Sequence, residues 1–427
     1  MRGKYFRYLF ENLDGVLIHI GSVYDKEKQK TTNYIYMVGS YYRNVPHGGE
    51  HEIYMEESAV PDEIDILIMG GYTVKDVNKL IYMISKHQVK TIILPYLTPI
   101  QRLVLVEEIN EGTIAAEESS HFLKDPYLFL EKTGIPNICF LYGNGLPIVR
   151  KPEEAGPVIQ FESADRETLK LIREMEGNDI PVMRAGYIVE NGWLFYFGAY
   201  GIDIHICSEF IKDYFSHIEN VYKTSESISE DYVRQTKRLV QRYQKKFGNF
   251  PATTVTMFAG PLYASSDENE IYITEKDINA AASCRAWNGN PKDSGCILRC
   301  PRGKDYDVMQ LYKNSGAKEE RIGILMLGNA NLNRYYAEIR RRFYVVSTRI
   351  RGISVPNCGN GEDWNHQVLG LSEAEDRVYW ICCKQDITSV GVVGDIVLSA
   401  PNNRLLTIGN GQRCCISGYI IPKEDLE

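Results

Sequence analysis

The chain has 427 residues, of which 44% are hydrophobic and 24% charged, so it has enough apolar residues for a large core, and disorder is not expected. Its formal net charge of −8 at pH 7 argues against wholesale electrostatic capture of nucleic acid but leaves a local basic face open. Charges interrupt the apolar residues of the N-terminal segment and no uncharged stretch has spanning length, so we expect a cytoplasmic protein without membrane contact.

The first part of the chain predicts a sheet with a parallel crossover. Its strand-like runs are rich in isoleucine, valine and tyrosine and are separated by polar or glycine-rich turns. Apolar residues from Val74 to His87 recur at helical spacing, and residues 90–96 return to an extended apolar run. Strand, helix and strand form a parallel crossover unit. The preceding strand-like runs are 15–21, 32–42, 50–58 and 64–70.

The rest of the chain mixes helix and strand patterns. A helix is predicted from Asp165 to Met175, with Ser163 as a candidate cap. A turn-rich stretch at about 265–320 resembles an insertion, and residues 322–421 are predicted to form short strands. Further helices are predicted at 99–109, 125–134 and 225–247, and further strands at 137–143 and 192–206.

The segment from Ile64 to Leu105 resembles the start of the metallo-β-lactamase-fold hydrolases related to competence-type DNA-uptake proteins and to enzymes of bacterial antiviral defence. In that family a similar strand runs into a turn with histidine and aspartate metal ligands, followed by a helix. The resemblance places four other residues at these ligand positions, and only the last could bind a metal. These residues are Gly71, Thr73, Lys75 and Asp76.

Four later segments resemble further parts of the same family. In the second of these segments, residues 323–332, Asn329 stands where the family has the aspartate that bridges two metals. In the third, Asn357 and Cys358 stand where it has two histidines, and the fourth lacks the family's last histidine. The segments are 253–261, 323–332, 354–365 and 380–398.

The resemblance implies an α/β fold of the αββα metallo-β-lactamase-like sandwich type with insertions. We expect residues 1–104 to form the N-terminal half of the sandwich and residues 251–427 its C-terminal half, with the insertion at about 265–320. Residues 105–250 are expected to form a mixed α/β segment that is packed on, or inserted into, the sandwich.

The replaced ligands predict a protein without catalysis. A two-metal hydrolase needs about six to eight nitrogen and oxygen ligands, and an asparagine lacks the negative charge that holds two cations together. We therefore expect a binding, scaffold or regulatory subunit that has a protein partner in a bacterial multi-subunit system and no cofactor. The former active-site cleft would persist around the seven replaced positions. They are Gly71, Thr73, Lys75, Asp76, Asn329, Asn357 and Cys358.

One alternative is a metal-dependent hydrolase, either a nuclease or a phosphodiesterase. Asp76, Cys358 and His366 would then form a rebuilt site for one zinc or manganese ion. This alternative remains open on the sequence alone.

A second alternative is a nucleic-acid-binding accessory protein. A basic helical segment carries Arg238, Arg242 and Lys245, whose spacing places several of its charges on one face. Another segment, with Arg340, Arg341 and Arg342, interleaves charges with aromatic residues. Either surface could instead contact an acidic protein partner or remain solvated.

The ten cysteines are expected to be reduced thiols, because the chain has no secretory signal. Two pairs are adjacent in sequence, Cys382 with Cys383 and Cys414 with Cys415. Adjacent residues in a strand point to opposite faces, so the two thiols of either pair are not expected to bind one metal ion together.

Overall fold

The computed structural model describes a mixed α/β protein in which 17 strands form one large sheet. The predicted α/β class is therefore confirmed. Most of the 265–320 insertion and the predicted strand at 50–58 lie outside the described residues. The residues described are 3–13, 15–39, 60–110, 116–143, 158–210, 212, 228–247, 253–262, 269–274, 317–319, 321–359, 363–372, 378–384, 404–409 and 413–422.

The strands are 3 to 10 residues long, and many are rich in β-branched and aromatic residues. They are β1 (Lys4–Leu13), β2 (Val16–Asp25), β3 (Lys30–Gly39), β4 (Glu63–Met69), β5 (Gln88–Pro95), β6 (Asn137–Leu141), β7 (Val158–Ser163), β8 (Val182–Glu190), β9 (Trp193–Tyr200), β10 (Thr254–Pro261), β11 (Asn269–Thr274), β12 (Ala317–Glu319), β13 (Gly323–Met326), β14 (Ile350–Ser354), β15 (Tyr379–Lys384), β16 (Arg404–Gly409) and β17 (Arg413–Pro422).

The helices lie mainly between the parallel strands. They are α1 (Val74–Lys86), α2 (Pro99–Asn110), α3 (Ala116–Lys124), α4 (Pro126–Lys132), α5 (Arg166–Glu176), α6 (Ile228–Phe247) and α7 (Leu332–Phe343). Three 3₁₀ segments follow α7, at Tyr344–Arg349, Pro356–Gly359 and His366–Leu371.

The sheet has a continuous strand order with two parallel regions. Strands β16, β15, β14 and β13 pair in parallel, and β13, β10, β9 and β8 continue antiparallel. A short parallel pairing of β8 with β6 leads to parallel β6, β5, β4 and β3. The order ends antiparallel with β3, β2, β1, β17, β11 and β12, and β7 pairs with β8 alone among the described strands.

The sheet curls so that distant strands meet in its interior. The rings of Tyr34 on β3 and Phe195 on β9 lie 4.8 Å apart between centroids. The buried hydroxyl of Tyr36 donates to the carbonyl oxygen of Val255 at 2.6 Å. Near the other edge, Asn12 donates to the carbonyl oxygen of Ile408 on β16 at 2.9 Å. The two parts of the sheet therefore share one aromatic-rich core.

Helices pack against separate parts of the curled sheet. On one face, α1, α3, α4 and α5 bury apolar residues against β2 to β6. On another, α7 and the 3₁₀ segments at 344–349 and 366–371 pack against β9 and β13 to β15. A smaller cluster joins α2 and α6 around the buried thiol of Cys207.

The predicted parallel crossover is confirmed. Strands β4 and β5 pair in parallel, with Leu67 opposite Ile92, and α1 connects them. The buried face of α1 is formed by Val77, Leu80 and Met83, which recur at helical spacing. The predicted helices at 99–109 and 125–134 correspond to α2 and α4, and the described part of 225–247 to α6.

Two local predictions were wrong. Ser163 does not cap α5, because it is the last residue of β7, and Asp165 instead accepts the amide hydrogen of Thr168 at 2.9 Å. The strand predicted for 192–206 ends at Tyr200. Helical residues start at 204, where the Asp203 carboxylate accepts an amide hydrogen two residues on and replaces the strand ladder.

Helix α7 was missing from the predicted elements, because residues 322–421 were interpreted as strands. Its N-terminus is capped by Asn331, which accepts the amide hydrogen of Arg334 at 3.0 Å. The division of the chain at residues 104 and 250 stays a prediction.

Candidate functional site

Strands β3, β4 and β10 come together where the candidate cleft was predicted. The amide of Gly70, just after β4, donates to the carbonyl oxygen of Met37 on β3 at 2.6 Å. The carbonyl oxygen of Gly70 accepts the amide hydrogen of Val255 at 3.0 Å and also a hydrogen bond from the Thr254 hydroxyl, both on β10. These bonds fix the turn after β4 against β10.

Thr73 and Asp76 form a capping box at the start of α1. The Asp76 amide donates to the Thr73 hydroxyl oxygen at 3.1 Å, and the Thr73 amide donates to Asp76 Oδ2 at 2.8 Å. Two helix-terminal amides, which have no partner within the helix, are satisfied in this way. The side chain of Asp76 is therefore part of the local fold.

The carboxyl group of Asp76 is fully buried, which raises its pKa to about 7. Hydrogen bonds from Thr73 and from the Gly39 amide, and the charge of Lys75, act in the opposite direction but are smaller. Its second oxygen, Oδ1, has no hydrogen-bond partner among the described residues. A substantial fraction of this carboxyl is therefore neutral near pH 7.

Gly39, at the end of β3, lies directly against this capping box. A Cβ added to Gly39 would lie 2.5 Å from Thr73 Oγ1 and 3.0 Å from Asp76 Oδ1. Only glycine allows this close approach without displacement. Gly39 was absent from the sequence-based site.

Asn329 lies in the same network. Its side-chain Nδ2 donates to the carbonyl oxygen of Gly39 at 2.9 Å, and its amide donates to the Thr254 hydroxyl oxygen at 3.0 Å. Gly328 precedes it with φ +61°, and a Cβ there would lie 2.2 Å from Thr254 Oγ1. Asn329, at a position where the resemblance predicts a metal ligand, thus hydrogen-bonds to the carbonyl oxygen of Gly39 and to Thr254.

A second hydrogen-bond network includes Asn331, which lies two residues after Asn329. Asn357 has φ +49° and donates through Nδ2 to Asp363 Oδ2 at 2.5 Å, while Asn331 Nδ2 donates to Asp363 Oδ1 at 2.6 Å. The buried oxygen Oδ1 of Asn357 has no partner among the described residues. The structure thus brings Thr73, Asp76 and Asn329 together around Gly39 and places Asn357 in this second network.

The remaining predicted site residues differ in their burial and in the elements on which they lie. Gly71 is buried, and Lys75 is half-buried on α1. Cys358 lies in a 3₁₀ segment, but its side chain is outside the described residues, and His366 is exposed. Where side chains are described, no three histidine, cysteine, aspartate or glutamate residues are grouped as metal ligands.

No family model, curated protein or solved structure matches this chain. The resemblance to metallo-β-lactamase-fold hydrolases therefore stays a prediction. The helices in the described part of the chain include none that is long and apolar enough to cross a membrane.

The two predicted basic surfaces differ in exposure. On α6, Arg238, Arg242 and Lys245 are all exposed. On α7, Arg340 and Arg341 are exposed, but Arg342 is buried.

The buried Arg342 belongs to the interior packing of α7. Its guanidinium carbon lies 5.3 Å from the ring centroid of Tyr200, and its Nη1 donates to the carbonyl oxygen of Phe197 at 3.4 Å. Including Arg342 in an exposed binding surface was therefore wrong. Consecutive helix residues point about 100° apart, so three arginines in a row do not share one face.

Sequence reasoning also missed Thr254, Asn331 and Asp363. Thr254 lies within the segment 253–261, which resembles part of the family. Nothing in the sequence marked it as the hydrogen-bond partner of Gly70 and Asn329. Asn331 could have been found, because an asparagine before an amphipathic segment is typical of a helix cap.

Proposed function

We propose that this chain is a catalytically inactive protein of the metallo-β-lactamase αββα fold that acts as a binding, scaffold or regulatory subunit of a bacterial multi-component system, such as one for antiviral defence. One observation carries the proposal. The polar side chains at the former ligand positions hydrogen-bond to the protein itself: Thr73 and Asp76 to each other's amides and Asn329 to Gly39.

The layers of the fold support the αββα class. The interior cluster joins residues from two parts of the curled sheet, and α1 and α7 pack in two other, separate clusters. The turn that leads into α1 lies at the carboxyl end of β4, and the loop with Asn329 follows β13. In α/β sheets, ligands commonly bind at the carboxyl ends of strands.

The residues do not fit a two-metal centre. Asn329 supplies no negative charge, which leaves Asp76 as the one carboxyl group among the matched positions of the turn. Two close divalent cations repel each other strongly unless carboxylates offset their charge. The amide of Asn329 presents hydrogen-bond donors toward Gly39. We therefore derive no step that involves such a centre.

The single-metal alternative requires three side chains to bind the same cation. Asp76 is fully buried, whereas His366 is exposed, and both would have to reach one cation together with Cys358. Zinc bonds to oxygen and nitrogen ligands are about 2.0–2.2 Å long, which leaves little tolerance in their placement. A rearrangement of the turn at Asp76 or of the segment at His366 would be required.

The proposal is tested by assays of hydrolysis. The purified protein is incubated with bis(p-nitrophenyl) phosphate, single-stranded DNA or RNA in the presence of added zinc or manganese. We expect no turnover above that of the Asp76→Ala variant, because the ligand positions hold no catalytic centre. Asn329→Ala is the matched control at the second position.

Turnover by the wild-type protein that disappears in Asp76→Ala would contradict the proposal. It would favour the metal-dependent nuclease or phosphodiesterase. A circular dichroism spectrum equal to that of the wild type must accompany each variant, because Asp76 also caps α1.

A further inference from the structure

The outward side of α7 and of the turn after it carries a continuous set of exposed residues, which we call the α7 face. The opposite side of the helix buries Leu332, Tyr335 and Ile339 in the core, so the orientation of this face is fixed by packing. The face spans 12 residues beyond its first member, or roughly 18 Å at helical rise. Its members are Asn333, Arg334, Ala337, Arg340, Arg341, Tyr344 and Val345.

The α7 face is strongly basic although the chain as a whole is acidic. Arg334, Arg340 and Arg341 contribute guanidinium groups, and none of the seven residues is acidic. Glu338, the neighbouring acid on α7, is half-buried, and its Oε2 atom is buried. The local charge is therefore complementary to a polyanion.

An exposed aromatic ring lies at the end of this basic face. Tyr344 is 60% exposed and Val345 is 43% exposed, so a phenol ring and an aliphatic group project into solvent beside Arg340 and Arg341. The guanidinium of Arg334 lies 5.1 Å from the ring centroid of Tyr335, which favours a defined orientation for this group. Exposed aromatic rings within basic surfaces are typical platforms for unpaired bases.

We propose that the α7 face binds single-stranded nucleic acid. Arg334, Arg340 and Arg341 contact phosphate groups, and Tyr344 stacks on a base. A base in a duplex has both its faces occupied by neighbouring bases, so this mode selects an unpaired strand. The proposal does not rest on the inactive cleft, and either can fail without the other.

Helix α6 provides a matched comparison within the same chain. Its exposed residues Lys237, Arg238, Arg242, Lys245 and Lys246 form a second basic face. Between Lys237 and Lys246, however, the aromatic residue of α6 is buried in the core cluster with α2. Both faces are therefore basic, with five cationic residues on α6 and three on α7, and within the described part of each face only α7 combines its charges with an exposed tyrosine ring.

The test measures fluorescence anisotropy of a labelled oligothymidylate or oligouridylate of about 20 nucleotides, longer than the roughly 4–16 nucleotides that one binding module covers. We expect binding that weakens as salt rises from about 50 to 200 mM. Tyr344→Ala is expected to weaken binding about 10-fold, and Tyr344→Phe to restore it, because base stacking needs only the ring.

The charge contribution is tested separately. In the double variant Arg340→Ala, Arg341→Ala, the slope of log affinity against log salt is expected to fall by about 1.4, since two phosphate contacts are lost. The double variant Arg238→Ala, Arg242→Ala on α6 removes the same charge and is expected to leave the affinity unchanged. All four residues are exposed, so folding should be preserved.

Three results would overturn the proposal. The first is absence of binding to either oligonucleotide, and the second is an equal loss of affinity in the α6 and α7 double variants, which would indicate net charge alone. The third is competition by polyglutamate as effective as by unlabelled oligonucleotide, combined with an unaffected Tyr344→Ala variant. That result would assign the α7 face to an acidic protein.

Discussion

At the scale of single residues, the burial of Asp76 makes the stability of the fold depend on pH. Its carboxyl group is fully buried, and burial raises its pKa to about 7 from an ordinary value of 3.8. Because the folded state then binds its proton more tightly than the unfolded state does, the contribution of this group to stability is complete below about pH 3.8. It is lost as the pH rises through about 7.

This pKa shift predicts the pH dependence of an Asp76→Asn variant. Relative to the wild type, the free energy of unfolding of the variant should rise between about pH 4 and 7, by up to roughly 1.4 kcal/mol per pH unit. Urea denaturation of both proteins across this range measures the difference. A difference that does not change with pH would show that the pKa of Asp76 is not raised in the folded protein.

The comparison with the wild type is necessary because the protonation of His19 also changes the free energy of unfolding over this pH range, in the opposite direction. Its ring is fully buried, and burial lowers its pKa to about 3. The stability contributed by neutral His19 is present above its unfolded pKa of 6.5 and declines as the pH falls toward about 3. Both proteins carry His19, so its effect cancels.

Residue identity alone could single out positions for the candidate site but not the structural role of each side chain. Asp76 and Asn329 were singled out from the sequence, yet their common partner Gly39 lies at the end of a different strand. A glycine after an apolar run has many explanations. Its role depends on close approach of three chain segments, which no local pattern encodes.

At the scale of elements, α1 shows the value of a strong local pattern. Its apolar residues recur at helical spacing, its capping box lies at Thr73 and Asp76, and both its bounds and its buried face were predictable. Helix α7 was missed although Leu332, Tyr335 and Ile339 follow the same spacing. The neighbouring apolar and aromatic residues of 322–421 were read as strands, and such short runs fit either period.

The capping box predicts the effect of changes at Thr73. Thr73→Ala should lower the free energy of unfolding by about 1 kcal/mol, because the Asp76 amide loses its acceptor at the start of α1. Thr73→Ser keeps the hydroxyl and should retain most of the stability. Chemical denaturation of the three proteins at one pH checks this order, and equal losses in both variants would contradict the cap.

At the scale of the whole molecule, the curled sheet joins the two ends of the chain. Strand β1 pairs with β2 on one side and with β17 on the other, with Tyr8 opposite Ile416. The α/β class followed from the alternation of strand and helix patterns. The pairing of β1 with β17 could not be predicted, because strand partners distant in sequence leave no local signal and their register depends on packing.

The central proposal is that the candidate site around Asp76 holds no metal, and elemental analysis of the protein tests it most directly. The wild-type chain and the Asp76→Asn variant are purified without chelator, equilibrated with zinc or manganese, and passed through a desalting column. We predict less than stoichiometric metal in both proteins and no difference between them. About one equivalent of zinc or manganese in the wild type that is lost in Asp76→Asn would contradict the account.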